Sequence, residues 1–174
     1  MAESYFESIR NANSGRYLTL LRIGPDLKGE ERGILKVMEG NTMIKAFSTI
    51  ENDKTLRYSS LRMGVYEFKH SWKKFNLDGT QMKNPIKCLR PTESRIQKVL
   101  IHRAFDDDAN TLAGCIAPGT WGTLYSFEDS EKAVEELFVL LGGHCDEKTV
   151  TLNVLSNASG VGYGETKENW WRTK

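Results

Sequence analysis

The chain is poor in cysteine and proline, has almost no net charge and contains no long apolar run. Among its 174 residues are three cysteines, four prolines, and 24 basic against 23 acidic side chains. A sparse, odd set of cysteines with no Cys-x-x-Cys pair indicates reduced thiols, and it predicts neither a disulfide framework nor a metal site. A net charge of +1 disfavours a dedicated nucleic-acid binder, which would show a basic excess. No stretch of 18 apolar residues is present, so we expect no membrane span.

Most of the chain is predicted to be β-structure. Short apolar runs separated by turn residues fill the first half, and residues 64–70 and 149–155 alternate apolar with polar side chains, as half-buried strands do. The pair Gly40-Asn41 between two apolar runs indicates a hairpin. We therefore expect a mainly β fold of the α+β type, as a compact sheet or sandwich.

One segment has helical periodicity. Ser126 or Asp129 can cap its start, and Gly142 can end it in the left-handed conformation. Its apolar residues recur at helical spacing at Val134, Leu137, Phe138 and Leu141. We predict one amphipathic helix near residues 127–142.

The chain is predicted to form one β-rich domain over residues 1–155, followed by a glycine-rich, polar tail over residues 156–174. The tail ends in Trp170 and Trp171, which would expose a large apolar area, and tryptophan is enriched at interface hot spots. The two tryptophans are candidate partner-binding residues. Packing against their own domain is an equally good interpretation.

The strongest chemical signal is a histidine and a cysteine on two short apolar runs. His102 ends the first run, and Cys115 follows 13 positions later, after Gly114. On neighbouring strands an imidazole can lower the pKa of a facing thiol and hold it as the reactive thiolate. Gly114 would leave room for a substrate, and the amides around it could form an oxyanion hole. The alternative is a buried cysteine that packs as a small hydrophobe beside a hydrogen-bonded histidine.

A second cluster combines aromatic and basic residues. Trp72 and Phe75 lie among Lys69, His70, Lys73 and Lys74, and such a cluster could stack on a base or a sugar. A strand end with a solvated rim is the simpler interpretation.

Six short motifs resemble, in their order, those of an uncharacterised family of small proteins from bacteriophages and bacteria. They are Leu20-Leu21-Arg22, Gly33-Ile34-Leu35, Thr49-Ile50-Glu51, Gly64-Val65-Tyr66, Ile101-His102 and Gly114-Cys115-Ile116. The resemblance covers roughly residues 17–141. It implies a phage-associated protein that is incorporated into a virion. Residues 1–7 lack the basic and apolar regions of a secretory signal, so we expect synthesis in the bacterial cytoplasm without a signal peptide.

The last two motifs are similar, more distantly, to the catalytic domains of the L,D-transpeptidases that cross-link peptidoglycan. This resemblance implies a mostly β fold in which Cys115 is the nucleophile and His102 its base. Three residues close to the pair are candidates for binding the substrate: Arg103, Asp108 and Thr111.

Two functions follow from these observations. The first is a cysteine-dependent hydrolase or acyl transferase that acts on peptidoglycan peptides, in which His102 takes the thiol proton and Cys115 attacks an amide carbonyl. The second is a non-catalytic virion, tail or cell-wall-binding component. Ala117 favours the second, because it stands where the transpeptidases carry an arginine. The expected partners are peptidoglycan peptides or other virion proteins, with no nucleic acid, membrane or cofactor.

Overall fold

The computed structural model of the protein describes residues 15–26, 29–52, 61–105, 112, 114–121 and 127–157. These residues are mainly β, with one α-helix and one short 3₁₀ turn at Ser94–Ile96. The strands are β1 (Arg16–Pro25), β2 (Glu31–Glu39), β3 (Thr42–Glu51), β4 (Gly64–Phe75), β5 (Gln81–Pro91), β6 (Ile116–Trp121), β7 (Phe127–Glu128) and β8 (Thr149–Val154), and the helix α1 is Ser130–Leu140.

The expected fold class is confirmed. Helix α1 lies inside the predicted segment 127–142, and β2 and β3 form the predicted hairpin, because Glu39 pairs with Thr42 across the turn at Gly40-Asn41. Strand β5 was not predicted, since its apolar and polar residues alternate only weakly and Pro85 lies within it. Proline is tolerated on edge strands, where its missing N–H breaks no ladder hydrogen bond.

The strands form one curled sheet in the order β5-β4-β8-β1-β2-β3-β6, and the two-residue strand β7 pairs with β6. Strands β1 and β8 are parallel, whereas the other neighbours are antiparallel.

Residues 100–102 join the two edges of this sheet. Leu89 of β5 and Ile101 each donate to the carbonyl oxygen of the other, at 2.9 and 3.0 Å. His102 N donates to Ile116 O of β6 at 3.1 Å, and Ile116 N donates to Leu100 O at 2.9 Å. Because β5 and β6 are opposite edges, these four bonds close the sheet on itself.

Helix α1 covers the apolar interior of the closed sheet. It contributes buried side chains to the main core, which also contains buried residues of β1, β2, β3, β4, β5, β6 and β8. Three ion pairs attach its outer face to the strands and to residue 103: Lys45 with Glu136, Lys87 with Glu135, and Arg103 with Glu131. No helix among the described residues has the length and apolar character needed to cross a membrane.

A second apolar cluster lies on the other face of the sheet. Leu89 and Ile101 belong to the main core, whereas their chain neighbours Cys88 and Leu100 belong to the second cluster, together with Cys115. Successive residues of an extended segment point to opposite faces. The closure of the sheet therefore places Cys115 in a packed apolar layer.

Candidate functional site

His102 lies at the seam where the sheet closes. Its side chain is completely buried, and its Nδ1 lies 2.5 Å from Arg103 O. A carbonyl oxygen only accepts hydrogen bonds, so Nδ1 carries the proton and Nε2 keeps a lone pair. Nε2 is buried without a hydrogen-bond partner. Burial, reinforced by the charge of Lys73, lowers the pKa of His102 to about 4, so the ring is neutral at pH 7.

Cys115 follows Gly114, whose φ of +76° is in the left-handed region that glycine adopts at least cost. The residue is 4% exposed. Leu100 N donates to Cys115 Sγ at 3.4 Å, and Sγ donates to Lys98 O at 3.5 Å. The sulfur therefore bonds to the backbone of the segment that closes the sheet.

The structure brings Cys115 and His102, the candidate pair, onto neighbouring segments, which is the condition that the sequence interpretation required. It forms no hydrogen bond between them, because His102 Nε2 has no partner and Nδ1 faces Arg103 O. The other predicted site residues Asp108, Thr111, Trp170 and Trp171 lie outside the described residues.

A buried lysine lies near the candidate pair. Lys73 is 7% exposed, and its Nζ donates to Phe75 O. Burial lowers its pKa, and its charge interacts with Cys115 and Cys88. Burial also raises the pKa of the Cys88 thiol to about 11. Both pKa shifts show that the second apolar cluster, which contains Cys88 and Cys115, is poorly solvated, so charged forms are disfavoured there.

Arg103 lines a surface groove of about 390 Å³ between β5 and α1, which we call the β5–α1 groove. Residues 84–87 form its strand side, and Glu131, Val134 and Glu135 form its helix side. Trp72 completes the lining, and its Nε1 donates to Asp146 Oδ1 at 2.8 Å. The volume lies within the range of small-ligand sites.

The predicted basic–aromatic cluster around Trp72 is divided between two environments. His70 is completely buried and its ring lies 5.1 Å from that of Phe138, while Lys73 is buried in a different layer. Alternation along β4 separates His70 from Lys73, because neighbouring residues point to opposite faces of the sheet.

Only Trp72 of this cluster lines the groove. Sequence reasoning did not connect it with Lys87, Glu131 or Glu135, since these residues come from separate elements.

Three residues of the resemblance motifs lie in one row across β1, β2 and β3, and a fourth lies close to that row. Arg22 pairs in register with Gly33, Gly33 pairs with Thr49, and Glu51 lies two residues beyond Thr49. Arg22 Nε and Nη2 donate to the two oxygens of Glu51 at 2.7 and 2.9 Å, and each side chain of this pair is 1% exposed. The pairing of β1 and β3 with β2 thus brings together a buried ion pair from two strands that are not adjacent in the sheet.

Gly33 allows this row to form, and we expect Gly33→Ala to lower the free energy of unfolding by about 1–3 kcal/mol. A Cβ at this position would lie 2.7 Å from Thr49 Oγ1 and 2.9 Å from Leu21 O. Urea unfolding measures the change. Lys36→Ala on the same strand is the control, and it should cost a few tenths of a kcal/mol. Equal stability of the two variants would show that the backbone yields without cost.

Comparison of the chain with family models, curated proteins and solved structures finds no match. Within the described ranges, no three His, Cys, Asp or Glu side chains are grouped as metal ligands. The candidate pair and the β5–α1 groove are therefore the two features from which a function can be inferred.

Proposed function

We propose that this protein is a non-catalytic binding or assembly component, of the virion or tail kind that the phage resemblance implies. The observation that carries the proposal is the state of Cys115: the residue is 4% exposed, and its thiol bonds to backbone groups at Lys98 and Leu100, next to the segment that closes the sheet. In this role Cys115 and His102 stabilise the seam of the scaffold.

The electrostatics of the candidate pair support the same conclusion. A reactive thiolate needs a nearby cation or a competent base. The imidazole of His102, with a pKa of about 4, is neutral at pH 7 and binds a proton weakly. Lys73 is the nearby cation, but its own pKa is lowered by burial, so the same environment disfavours every charged form.

One observation favours cysteine-dependent acyl transfer as a second candidate. The Nδ1–H bond to Arg103 O leaves the Nε2 lone pair of His102 available as a base. In that mechanism Nε2 takes the thiol proton, and Sγ attacks an amide carbonyl to form a thioester. The amine then leaves with the proton, and water hydrolyses the thioester. This chemistry requires an opening motion that exposes Sγ, because the described structure buries it.

Alkylation of the three cysteines in the native protein tests the proposal. We expect Cys145, which is exposed, to react with iodoacetamide as an accessible thiol. Cys88 and Cys115 are buried and should react at least about a hundredfold more slowly, since they depend on opening of the structure. Peptide mass spectrometry at several pH values separates the three rates, and urea-unfolded protein provides the fully reactive reference.

A different result would favour the enzyme. If Cys115 reacts faster than Cys145, with an inflection well below pH 8 that disappears in His102→Ala, the pair is activated and the binding proposal is wrong. Protection of Cys115 to the same degree as Cys88, in both the native protein and His102→Gln, supports the proposal.

A further inference from the structure

We propose that the β5–α1 groove binds a short peptide through both its free carboxylate and its free ammonium group. The inference rests on the proposed function, because it identifies the surface and the ligand of a binding component. It draws on the donors of Arg103, the charge balance of the groove and the free edge of β5.

Arg103 has donors left for a carboxylate. Its Nη1 donates to Glu131 Oε1 at 2.9 Å, and the guanidinium carbon lies 5.0 Å from the centre of the Phe105 ring. Its Nε is buried and has no hydrogen-bond partner. A buried donor without an acceptor is unfavourable, and the planar guanidinium fits a carboxylate with two parallel bonds. The Arg103 side chain is 28% exposed and lines the groove, so a ligand carboxylate can reach the guanidinium there.

The charges of the groove favour a ligand with both signs. Lys87 and Arg103 supply two cations, and Glu135 and Glu131 supply two carboxylates, so the lining is balanced. A balanced lining gives no net attraction to a polyanion, but it can pair with both ends of a zwitterion. The side chains of Glu131 and Glu135 are 73% and 56% exposed, so their present ion pairs are weak and can exchange partners.

The remaining surfaces of the groove suit a peptide. The hydrogen bond from Trp72 to Asp146 holds the indole in one orientation, as a flat apolar wall. On the side away from β4, strand β5 is bridged only at Leu89 within the described part of the chain. Among the described residues, none pairs as a strand with residues 84–87 on that side. An extended peptide can pair with such an edge through its own backbone.

Titration of the full-length protein with trialanine tests the inference. We expect saturable shifts of the Trp72 indole Nε1–H and the Arg103 Nε–H in ¹H–¹⁵N spectra. N-acetyl-trialanine amide, which lacks both charges, should cause no saturable shift. Arg103→Gln should weaken binding at least about tenfold, because it removes the charged guanidinium that binds the carboxylate.

Two further variants make the result specific. Arg95→Gln removes an equal charge from an exposed position outside the groove and should leave the affinity unchanged. Lys87→Gln removes the second cation of the groove, whose ion pair with Glu135 is solvent-exposed, and should weaken binding severalfold. Lys87→Gln also keeps the test decisive if Arg103→Gln fails to fold.

The inference is wrong if trialanine causes no saturable shift, if the neutral analogue binds equally well, or if the groove variants bind like Arg95→Gln. It is also wrong if the groove resonances shift with protein concentration alone, since a second copy of the chain would then be the occupant. Failure of trialanine to bind while Cys115 stays protected overturns this inference and leaves the proposed function standing. A reactive Cys115 overturns the proposed function instead.

Discussion

Glu51→Gln is expected to lower the free energy of unfolding by about 3–5 kcal/mol, because it leaves the Arg22 guanidinium buried without its counter-charge. Arg22 binds both oxygens of Glu51, and its Nη1 donates to Ser156 O at 2.6 Å. Water cannot replace the lost carboxylate, since the two side chains are only 1% exposed. Urea unfolding at pH 7 measures the loss.

An exposed pair on β1 and β2 provides the matched control. Arg16 Nε lies 3.1 Å from Glu39 Oε1, but the side chains are 36% and 55% exposed. Glu39→Gln should therefore cost no more than about 1 kcal/mol. The double variant Arg22→Met/Glu51→Leu removes both buried charges and should recover much of the loss. A cost of Glu51→Gln as small as that of Glu39→Gln would show that water reaches the buried pair.

The free energy of unfolding is expected to fall by about 2 kcal/mol for each of His70 and His102 when the pH is lowered from 7 to 5. Burial is the main cause that lowers the pKa of both to about 4, from an ordinary value of 6.5. The unfolded chain therefore takes up protons that the native protein does not bind. The stabilisation is complete above about pH 6.5 and is lost as the pH falls towards 4.

The two histidines can be separated by substitution. His102→Gln keeps a donor for Arg103 O, and His70→Gln keeps an acceptor for Cys145 N, which donates to His70 Nδ1 at 3.1 Å. Each variant should lose about half of the difference in unfolding free energy between pH 7 and pH 5, measured by urea unfolding at both values. An unchanged difference in His102→Gln would mean that the native ring takes up a proton and is not held neutral by burial.

The sequence predicted those parts of the fold that depend on local patterns. Alternation of apolar and polar residues located β4 and β8, helical periodicity located α1, and Gly40-Asn41 located the turn between β2 and β3. Strand β5 was missed because its alternation is weak and Pro85 interrupts it.

The orientation of the candidate pair was decided by tertiary structure. Val99, Leu100 and Ile101 are all apolar, so their sequence cannot show which face His102 and the thiol of Cys115 occupy. The face that each side chain occupies is set by the hydrogen bonds of residues 100–102 to β5 and β6, which close the sheet.

The same is true of the buried ion pair and of the groove. Arg22 and Glu51 are 29 positions apart, and the groove combines Trp72 and Lys87 with Arg103 and residues of α1. Sequence by itself determined the helix and those strands that have a clear apolar pattern, because backbone preference and periodicity act over a few residues. Which polar side chains meet, and whether water reaches them, depends on contacts between distant segments that exist only when the sheet has closed.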